Sequence, residues 1–230
     1  MELKKKEWEQ SYKRGENFIF YPKEEVVKFI NRFIKKKVSF DRYIQLLQSD
    51  KKLKGLDFGC GIGRSTILLH EFDIDGYGID ISRNAIENAK IFAKSFNFNL
   101  DNFFQVYNGN EILFDNEYFD FVISDCVLDS MPFELAKKLV KNIENITKKY
   151  FFLSLISTES KPLFKLINSD INEIEVNEEH EKGTIQSFFN KQKIEKLIEN
   201  THFKIKWLEL HNVYGNDNCE YGRWYIVLEK

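Results

Sequence analysis

The chain has 230 residues, enough for one domain with a sizeable core, and its 43% hydrophobic content excludes a disordered chain. A formal net charge of −2 provides no field that gathers DNA or RNA, so we expect no nucleic-acid partner. Three cysteines without a C-x-x-C pair indicate neither a disulfide framework nor a zinc site, and we expect no metal. No apolar run approaches a membrane span, so we predict a cytoplasmic protein without a membrane partner.

The first fifty residues precede the predicted core. Residues 1–22 are rich in aromatic side chains and are expected to be irregular. Pro22 suits the first turn of a helix, and the apolar spacing over residues 24–36 predicts an amphipathic helix. A second, short helix is expected over residues 41–48.

A glycine-rich turn follows the first predicted core strand, at residues 53–58. Gly59, Gly61 and Gly63 occupy alternate positions, and a helix is expected over residues 65–71. Glycine lets the backbone turn sharply beside a ligand, and the helix start directs unpaired N–H groups at it. The G-x-G-x-G spacing differs from the G-x-G-x-x-G dinucleotide fingerprint, and no Lys-Ser/Thr pair of a P-loop follows.

Acidic residues end two of the predicted strands. Asp57 immediately precedes the glycine turn, where it would repel a pyrophosphate but suits a ligand that carries an ammonium group. Asp80 ends the next predicted strand, and a carboxylate there can accept hydrogen bonds from both hydroxyls of a ribose. Cys60, between the glycines, is expected to fill space in the same ligand-binding turn.

Helices and strands alternate through the rest of the chain. Ser82 and Asn190 are expected to cap two helices, and a third begins at Pro132. The predicted strands lie at residues 103–107, 118–125 and 150–156, followed by a closing hairpin of residues 203–214 and 223–228. Residues 157–189 are polar and weakly periodic in their first part, and we interpret this segment as an insertion over the carboxyl edge of the sheet.

This order of motifs resembles that of the class I S-adenosylmethionine (SAM)-dependent methyltransferases, whose motif I reads hydrophobic-D-x-G-x-G-x-G. The resemblance covers residues 53–156 well and the remainder more loosely. It implies an α/β, Rossmann-like fold in one domain spanning residues 1–230. The fold would contain a seven-stranded, mostly parallel sheet with a C-terminal antiparallel hairpin and helices on both faces. SAM would be the cofactor and S-adenosylhomocysteine (SAH) the product, in a monomer or homodimer.

The resemblance also assigns roles beyond the glycine turn. Asp80 would bind the ribose, and Ile81 would lie against the adenine face. Asn110 stands where the family usually has an acid that accepts from the adenine amino group, and its side-chain carbonyl can also accept. Asp125 lies at the carboxyl end of the fourth strand and would either contact the methionine part of SAM or cap the turn.

An aromatic N-terminal segment folds over the cofactor in related small-molecule methyltransferases. Tyr12 and Arg14 would then belong to the cofactor site, with Arg14 paired to the ligand carboxylate. The alternative is that this segment only packs against the first helix. The complete predicted cofactor-binding set is Tyr12, Arg14, Asp57, Gly59, Cys60, Gly61, Gly63, Asp80, Ile81, Asn110 and Asp125.

Catalytic groups are harder to identify, because many relatives carry a histidine near position 130 and this chain has Ser130. His180 and His211 are candidate general bases, although an incidental surface histidine is the alternative for each. Asp129 lies in the segment that would face the sulfonium. We predict methyl transfer to a small-molecule acceptor, at an oxygen of a sugar- or phosphate-containing precursor of a surface polysaccharide. The alternatives are an NAD(P)-dependent oxidoreductase and a non-catalytic SAM-binding module.

Overall fold

The computed structural model describes residues 4–109, 111–160, 172–178, 181–215 and 218–230. The helices are α1 (Lys5–Arg14), α2 (Glu24–Phe29), α3 (Arg64–Glu71), α4 (Arg83–Ser95), α5 (Phe133–Ile146) and α6 (Lys191–Ile198). The strands are β1 (Lys35–Lys37), β2 (Tyr43–Gln45), β3 (Lys54–Phe58), β4 (Asp75–Asp80), β5 (Phe104–Val106), β6 (Phe119–Asp125), β7 (Thr147–Ile156), β8 (Glu173–Glu175), β9 (Ile185–Ser187), β10 (Lys204–Gly215) and β11 (Asn218–Glu229).

Seven strands form the central sheet in the order β10-β11-β7-β6-β3-β4-β5. The five strands from β7 to β5 are parallel, whereas β11 runs antiparallel to β7 and pairs with β10. This confirms the predicted Rossmann-like, mostly parallel sheet with a closing antiparallel hairpin. The chain order reverses beside β3, and the carboxyl ends of strands at such a switch point form the usual ligand crevice of an open α/β sheet.

Every residue of β6 is buried, which shows that both faces of the sheet are covered. Val122 of β6 belongs to the core beneath α5 and α6, whereas its neighbours Phe121 and Ile123 belong to the core beneath α2 and α3. In the second core, the ring of Phe29 stacks on that of Phe152 with centroids 5.2 Å apart. Packing on both faces holds the strands in place, and the positions of their carboxyl ends determine where the crevice lies.

The N-terminal segment is more regular than predicted. Residues 5–14 form α1, which ends where Gly15 adopts a left-handed φ of +76°. Glu9 anchors this helix to the core, since its Oε2 accepts from Ser82 Oγ at 2.5 Å and its Oε1 from Asn84 Nδ2 at 2.8 Å. A contact across more than seventy residues orders a segment whose own sequence shows only scattered aromatic side chains.

The two helices predicted before the core strand are also corrected. The first ends early: a π-helical turn, Ile30–Ile34, follows α2, and β1 then begins. The second is absent, because β2 occupies residues 43–45 and pairs antiparallel with β1. Tyr43 explains the change, since its hydroxyl donates to the Glu71 carbonyl at 2.8 Å and its ring packs on Phe72. Tertiary contacts here override local helix propensity.

The described part of the predicted insertion packs beside the β6–α5 connection. Strands β8 and β9 form an antiparallel pair, and Ser187 donates from its backbone to the Asp129 carbonyl at 2.7 Å. Residues 161–171 and 179–180 of this segment, and residues 216–217 of the closing turn, lie outside the described residues. Within the described ranges, no helix combines the length and apolar character needed to cross a bilayer.

Candidate active site

The predicted glycine turn lies at the switch point of the sheet. Gly59, Gly61 and Gly63 have φ values of +74°, +54° and +83°, a left-handed region that side chains disfavour. Space is also short: a Cβ on Gly59 would collide with Val127, and one on Gly61 would lie 2.6 Å from the Tyr12 hydroxyl oxygen. Only glycine fits at these positions, so the backbone itself forms the floor of the crevice.

Asp57 supports this turn from beneath. Its Oδ2 accepts from the backbone N–H of Thr66 at 3.0 Å and from the Thr66 hydroxyl at 2.9 Å, which fixes the start of α3. Burial raises the pKa of Asp57 to about 7. Both hydrogen bonds end on Oδ2, and among the described residues none ends on Oδ1. Asp57 therefore has a structural role and an oxygen still available to a ligand.

Asp80 connects the turn to the start of α4. Its Oδ2 accepts from the backbone N–H of Gly61 at 3.0 Å, and its Oδ1 from that of Ser82 at 2.9 Å. Burial raises the pKa of Asp80 to about 6, against the opposing effect of these hydrogen bonds. Each oxygen keeps a further lone pair, so the carboxylate can still accept from vicinal hydroxyls.

An apolar hollow, here called the nucleoside compartment, extends from Asp80 toward α5. It is lined mainly by Trp8, Tyr12, Phe58, Ile79, Asp80, Ile81, Tyr107, Val127, Met131 and Leu139. The hydroxyl of Tyr107 is buried and has no hydrogen-bond partner among the described residues. Burying an unpaired hydroxyl is unfavourable, because the group loses its hydrogen bonds to water. Tyr107 was not predicted as a site residue, although it ends a predicted strand of the sheet.

A second hollow, the charged compartment, adjoins the first and shares with it Trp8, Tyr12, Gly59, Cys126 and Ser130. Its polar lining comprises Asn17, Asp57, Arg64, Ser65, Asp125, Cys126, Ser130, Glu181, Gln186 and Arg223. The two compartments form one crevice over the carboxyl ends of the strands, apolar at one end and ionic at the other.

Asp125 is the centre of an ionic cluster in the charged compartment. It pairs with Arg64 at 2.7 Å and with Lys23 at 3.0 Å, and accepts from Ser154 Oγ at 2.6 Å. Burial opposes its ionisation, but the charges of Lys23 and Arg64 hold the pKa of Asp125 below its usual value. Beside it, Cys126 adopts a left-handed φ of +62°, a conformation that is rare outside glycine. No sequence motif indicates Lys23 as a site residue, because it lies 102 positions from Asp125 in the chain.

Asp129, a predicted catalytic residue, is held in a buried ion pair with Arg223. The Arg223 Nη1 lies 2.8 Å from Asp129 Oδ2, and the side chains are only 7% and 1% exposed. The same carboxylate oxygen accepts from the backbone of Ile156 at 2.8 Å, while Oδ1 is buried with no partner among the described residues. The structure thus places Arg223, and not Asp129, on the lining of the crevice.

The remaining predicted residues divide into two groups. Cys60 is buried in the lining, and Tyr12 stands over the glycine turn, in the position expected for a covering segment. Arg14 pairs instead with Glu16 at 2.7 Å on the exposed end of α1. His211 lies on β10 between Glu209 and Glu25, and neither it nor Arg14 lines either compartment.

His180 and Asn110 lie outside the described residues, so their predicted roles stay predictions. Among the residues that the structure does describe, no three or more His, Cys, Asp or Glu side chains are grouped so that they could hold a metal ion.

Comparison with known proteins identifies the family. Residues 49–210 match the family model described as a methyltransferase domain. No curated protein sequence matches the chain. Among solved structures, the chain is similar to a SAM-dependent methyltransferase from Methanosarcina mazei, with 20% identity, a TM-score of 0.64 and coverage of 79% of this chain and 94% of that one.

Two further structures share the fold. Magnesium protoporphyrin IX methyltransferase from Synechocystis PCC 6803, solved with bound SAM, is 17% identical with a TM-score of 0.56, and the match covers 78% of this chain and 70% of that one. TehB from Haemophilus influenzae is 15% identical with a TM-score of 0.59, over 96% of this chain and 67% of that one. The resemblance to the SAM-dependent methyltransferases is therefore confirmed, and the chain belongs to the methyltransferase domain family.

Proposed function

We propose that this methyltransferase transfers the methyl group of SAM to an oxygen atom of a small-molecule acceptor. The observation that carries the proposal is the single crevice that runs from Asp80, through the glycine turn, to Arg223. One end suits a purine nucleoside, the middle suits the amino-acid part of the cofactor, and the far end leaves polar space for an acceptor. The family match favours this activity over the NAD(P)-dependent alternative.

The nucleoside compartment supports the predicted cofactor orientation. Asp80 would accept from the ribose hydroxyls while its present hydrogen bonds hold the carboxylate in place. Ile81 and Tyr107 line the space in which an adenine ring would lie, and the unpaired Tyr107 hydroxyl would gain a partner there. This assignment keeps Asp80 and Ile81 in their predicted roles and adds Tyr107 to them.

The charged compartment supports the binding of the methionine part. The ammonium group of the methionine part would face Asp57 Oδ1 and the carboxylate of Asp125. Its carboxylate group would face Arg64, the cation available to it in this compartment. Arg64 would therefore bind the ligand carboxylate in place of Arg14, which pairs with Glu16 at the exposed end of α1. Arg64 already pairs with Asp125, so a bound ligand would enter an existing ionic network.

Bound SAM supplies a methyl group on a sulfonium sulfur, whose leaving group is a neutral thioether. The task left to the protein is to orient the acceptor in line with that bond and to exclude water. Helix α1 contributes by covering the turn, since Glu9 ties it to Ser82 and Asn84. The described part of the insertion lies close to the same helix. Gly183 is so near Glu7 of α1 that a Cβ on Gly183 would be 3.5 Å from the Glu7 side chain.

The described lining of the crevice contains no histidine, and its aspartates, Asp57, Asp80 and Asp125, are engaged in hydrogen bonds or ion pairs. This favours an acceptor oxygen that is already ionised, or one that reacts through orientation alone. A sugar- or phosphate-containing precursor of a surface polysaccharide is the narrower proposal, since such compounds offer both kinds of oxygen.

Two measurements test the proposal. Calorimetry of the full chain with SAM and with SAH should give saturable binding in the micromolar range, and folded protein that takes up neither would contradict it. Incubation with SAM and a panel of nucleotide sugars and phosphorylated sugars should then release SAH. Cofactor binding without SAH release across the panel would favour the non-catalytic SAM-binding module.

A further inference from the structure

We propose that Arg223 binds an anionic oxygen group of the acceptor, a carboxylate or a phosphate, and thereby selects the substrate. The inference rests on the proposed methyl transfer, because it assigns the far end of the crevice to the acceptor. It concerns a residue that neither motif I nor the family match identifies, since the match ends at residue 210.

The position of Arg223 on the sheet separates it from the cofactor. It lies on β11, opposite Ile156 at the carboxyl end of β7. Strand β7 separates β11 from β6, which carries Asp125, and β3 and β4 with their glycine turn and Asp80 lie farther still. A cofactor held by Asp80 and the turn would therefore leave the Arg223 end of the charged compartment to the second substrate.

The hydrogen bonding of Arg223 leaves donors for a ligand. Its Nε donates to the Tyr221 hydroxyl, and its Nη1 donates to Asp129 at 2.8 Å and faces Ser154 Oγ at 3.4 Å. Among the described residues nothing accepts from Nη2, which carries two of the five guanidinium N–H groups. The residue is 6% exposed and lines the charged compartment, so these two donors are available to a ligand or to the water that it displaces.

The surrounding charges favour an anion over a neutral group. The ion pairs of the charged compartment as a whole comprise three cations, Lys23, Arg64 and Arg223, and two carboxylates, those of Asp125 and Asp129. The other acids of the lining are placed differently. Asp57 lies beneath the glycine turn, and Glu181 acts electrostatically on Tyr12 of α1. A guanidinium with two unused N–H groups binds carboxylate and phosphate oxygens in its own plane.

The alternative is that Arg223 only fastens β11 to the β6–α5 connection through Asp129. Both roles make the side chain important for folding, so loss of stability in a variant does not separate them. Direct observation of the guanidinium during an anion titration does, because a purely structural arginine has no reason to respond.

The experiment uses the full chain saturated with SAH and labelled with ¹⁵N in its arginine side chains. Inorganic phosphate and benzoate are titrated separately, and the guanidinium resonances are followed by NMR. We expect a saturable shift of the Arg223 resonance with at least one of the two anions, and an affinity for it that falls at least about tenfold in Arg223→Gln. Arg223→Lys should keep part of the affinity. Arg42→Gln, which removes an exposed arginine of the β1–β2 turn, should bind like the original chain.

The outcomes are distinct. A titration in which neither anion moves the Arg223 resonance, or in which Arg223→Gln binds the anion as well as the original chain, overturns this inference while SAH binding still supports methyl transfer. Failure of the original chain to bind SAH instead contradicts the proposed function. If Arg223→Gln does not fold, as thermal unfolding would show, the assigned resonance of the original chain and the Arg223→Lys variant decide the question.

Discussion

The end of the crevice proposed to bind the cofactor, here the cofactor end, and the end proposed to bind the acceptor, here the acceptor end, are built in different ways. At the cofactor end, a contiguous stretch from Asp57 to Thr66 creates the turn, and Asp80 follows on the neighbouring strand. At the acceptor end, the groups that meet are far apart in the chain, with Asp129 and Arg223 separated by 94 positions. A short backbone motif therefore defines the cofactor end, whereas the acceptor end depends on the completed sheet. Substitutions should consequently affect binding at one end and folding at the other.

The largest effect on folding is expected at the acceptor end. Asp129→Asn leaves the Arg223 guanidinium buried without its counter-charge, and breaking a buried pair in this way costs about 3–5 kcal/mol of unfolding free energy. Urea denaturation measures it. Glu24→Gln is the control, because it removes an exposed helical ion pair with Lys28 and should change stability little. Equal effects of the two variants would show that the Asp129 pair contributes no more than a surface contact.

The largest effect on cofactor binding is expected at the glycine turn. Gly59→Val combines a left-handed φ with a collision against Val127, so we expect SAH affinity to fall by at least about a hundredfold in calorimetry. Gly15→Val is matched to it, since Gly15 has a φ of +76° but open space around it. That control should lose some stability and keep its SAH affinity. Normal SAH binding by Gly59→Val would show that the glycine turn is not part of the cofactor site.

A smaller effect is expected from Asp80→Asn. The amide oxygen can still accept one of the two backbone hydrogen bonds, but the side chain loses its charge and one acceptor toward the ribose. We expect SAH affinity to fall about tenfold, with a modest loss of stability. Asp41→Asn, at an exposed position of the β1–β2 turn, provides the matched control. Unchanged SAH affinity in Asp80→Asn would contradict the ribose assignment.

The smallest effect concerns pH. Burial raises the pKa of Asp57 to about 7, so its ionised form, which suits an ammonium ligand, becomes populated as the pH rises through neutrality. SAH affinity should therefore increase by up to about tenfold between pH 6 and 8. The stability of the unliganded protein should change in the opposite direction. A folded carboxyl with a raised pKa binds its proton more tightly than the unfolded chain does, so its contribution is lost as the pH rises from the usual aspartate range toward 7.

Asp57→Asn separates these two effects from other titrations. It should remove the contribution of Asp57 near neutrality from both pH profiles and leave that of Asp80, whose pKa burial raises to about 6. The original chain and the variant should converge at low pH, where both side chains at position 57 are neutral. A pH dependence of SAH affinity that persists unchanged in Asp57→Asn would assign the effect to another group.

The cofactor end was predictable because its information is local. The glycine spacing, the two strand-end acids and the Ser82 cap all lie within thirty residues, and the structure brings them together around the glycine turn. The mostly parallel sheet with its closing hairpin was implied by the family resemblance, and the structure confirms it. What motif I could not indicate was that Asp57 also fixes the start of α3, since that role depends on the hydroxyl of Thr66.

The acceptor end was not predictable, because the groups that form it come from distant parts of the sequence. Arg223 is one basic residue in a C-terminal strand, and only the pairing of β11 with β7 brings it to the crevice. Lys23 likewise reaches Asp125 only after the N-terminal segment has packed. The β1–β2 hairpin was mistaken for helix because the Tyr43 contacts that stabilise it come from α3 and the residue that follows it.

The most direct test of the account is a crystal structure of the full chain with SAH. The account predicts the ribose hydroxyls on Asp80, the adenine against Ile81, the homocysteine carboxylate at Arg64, and open space between the sulfur and Arg223. Ordered SAH bound elsewhere, or bound in the crevice with its amino-acid part against Arg223 and no space left for an acceptor, would contradict it.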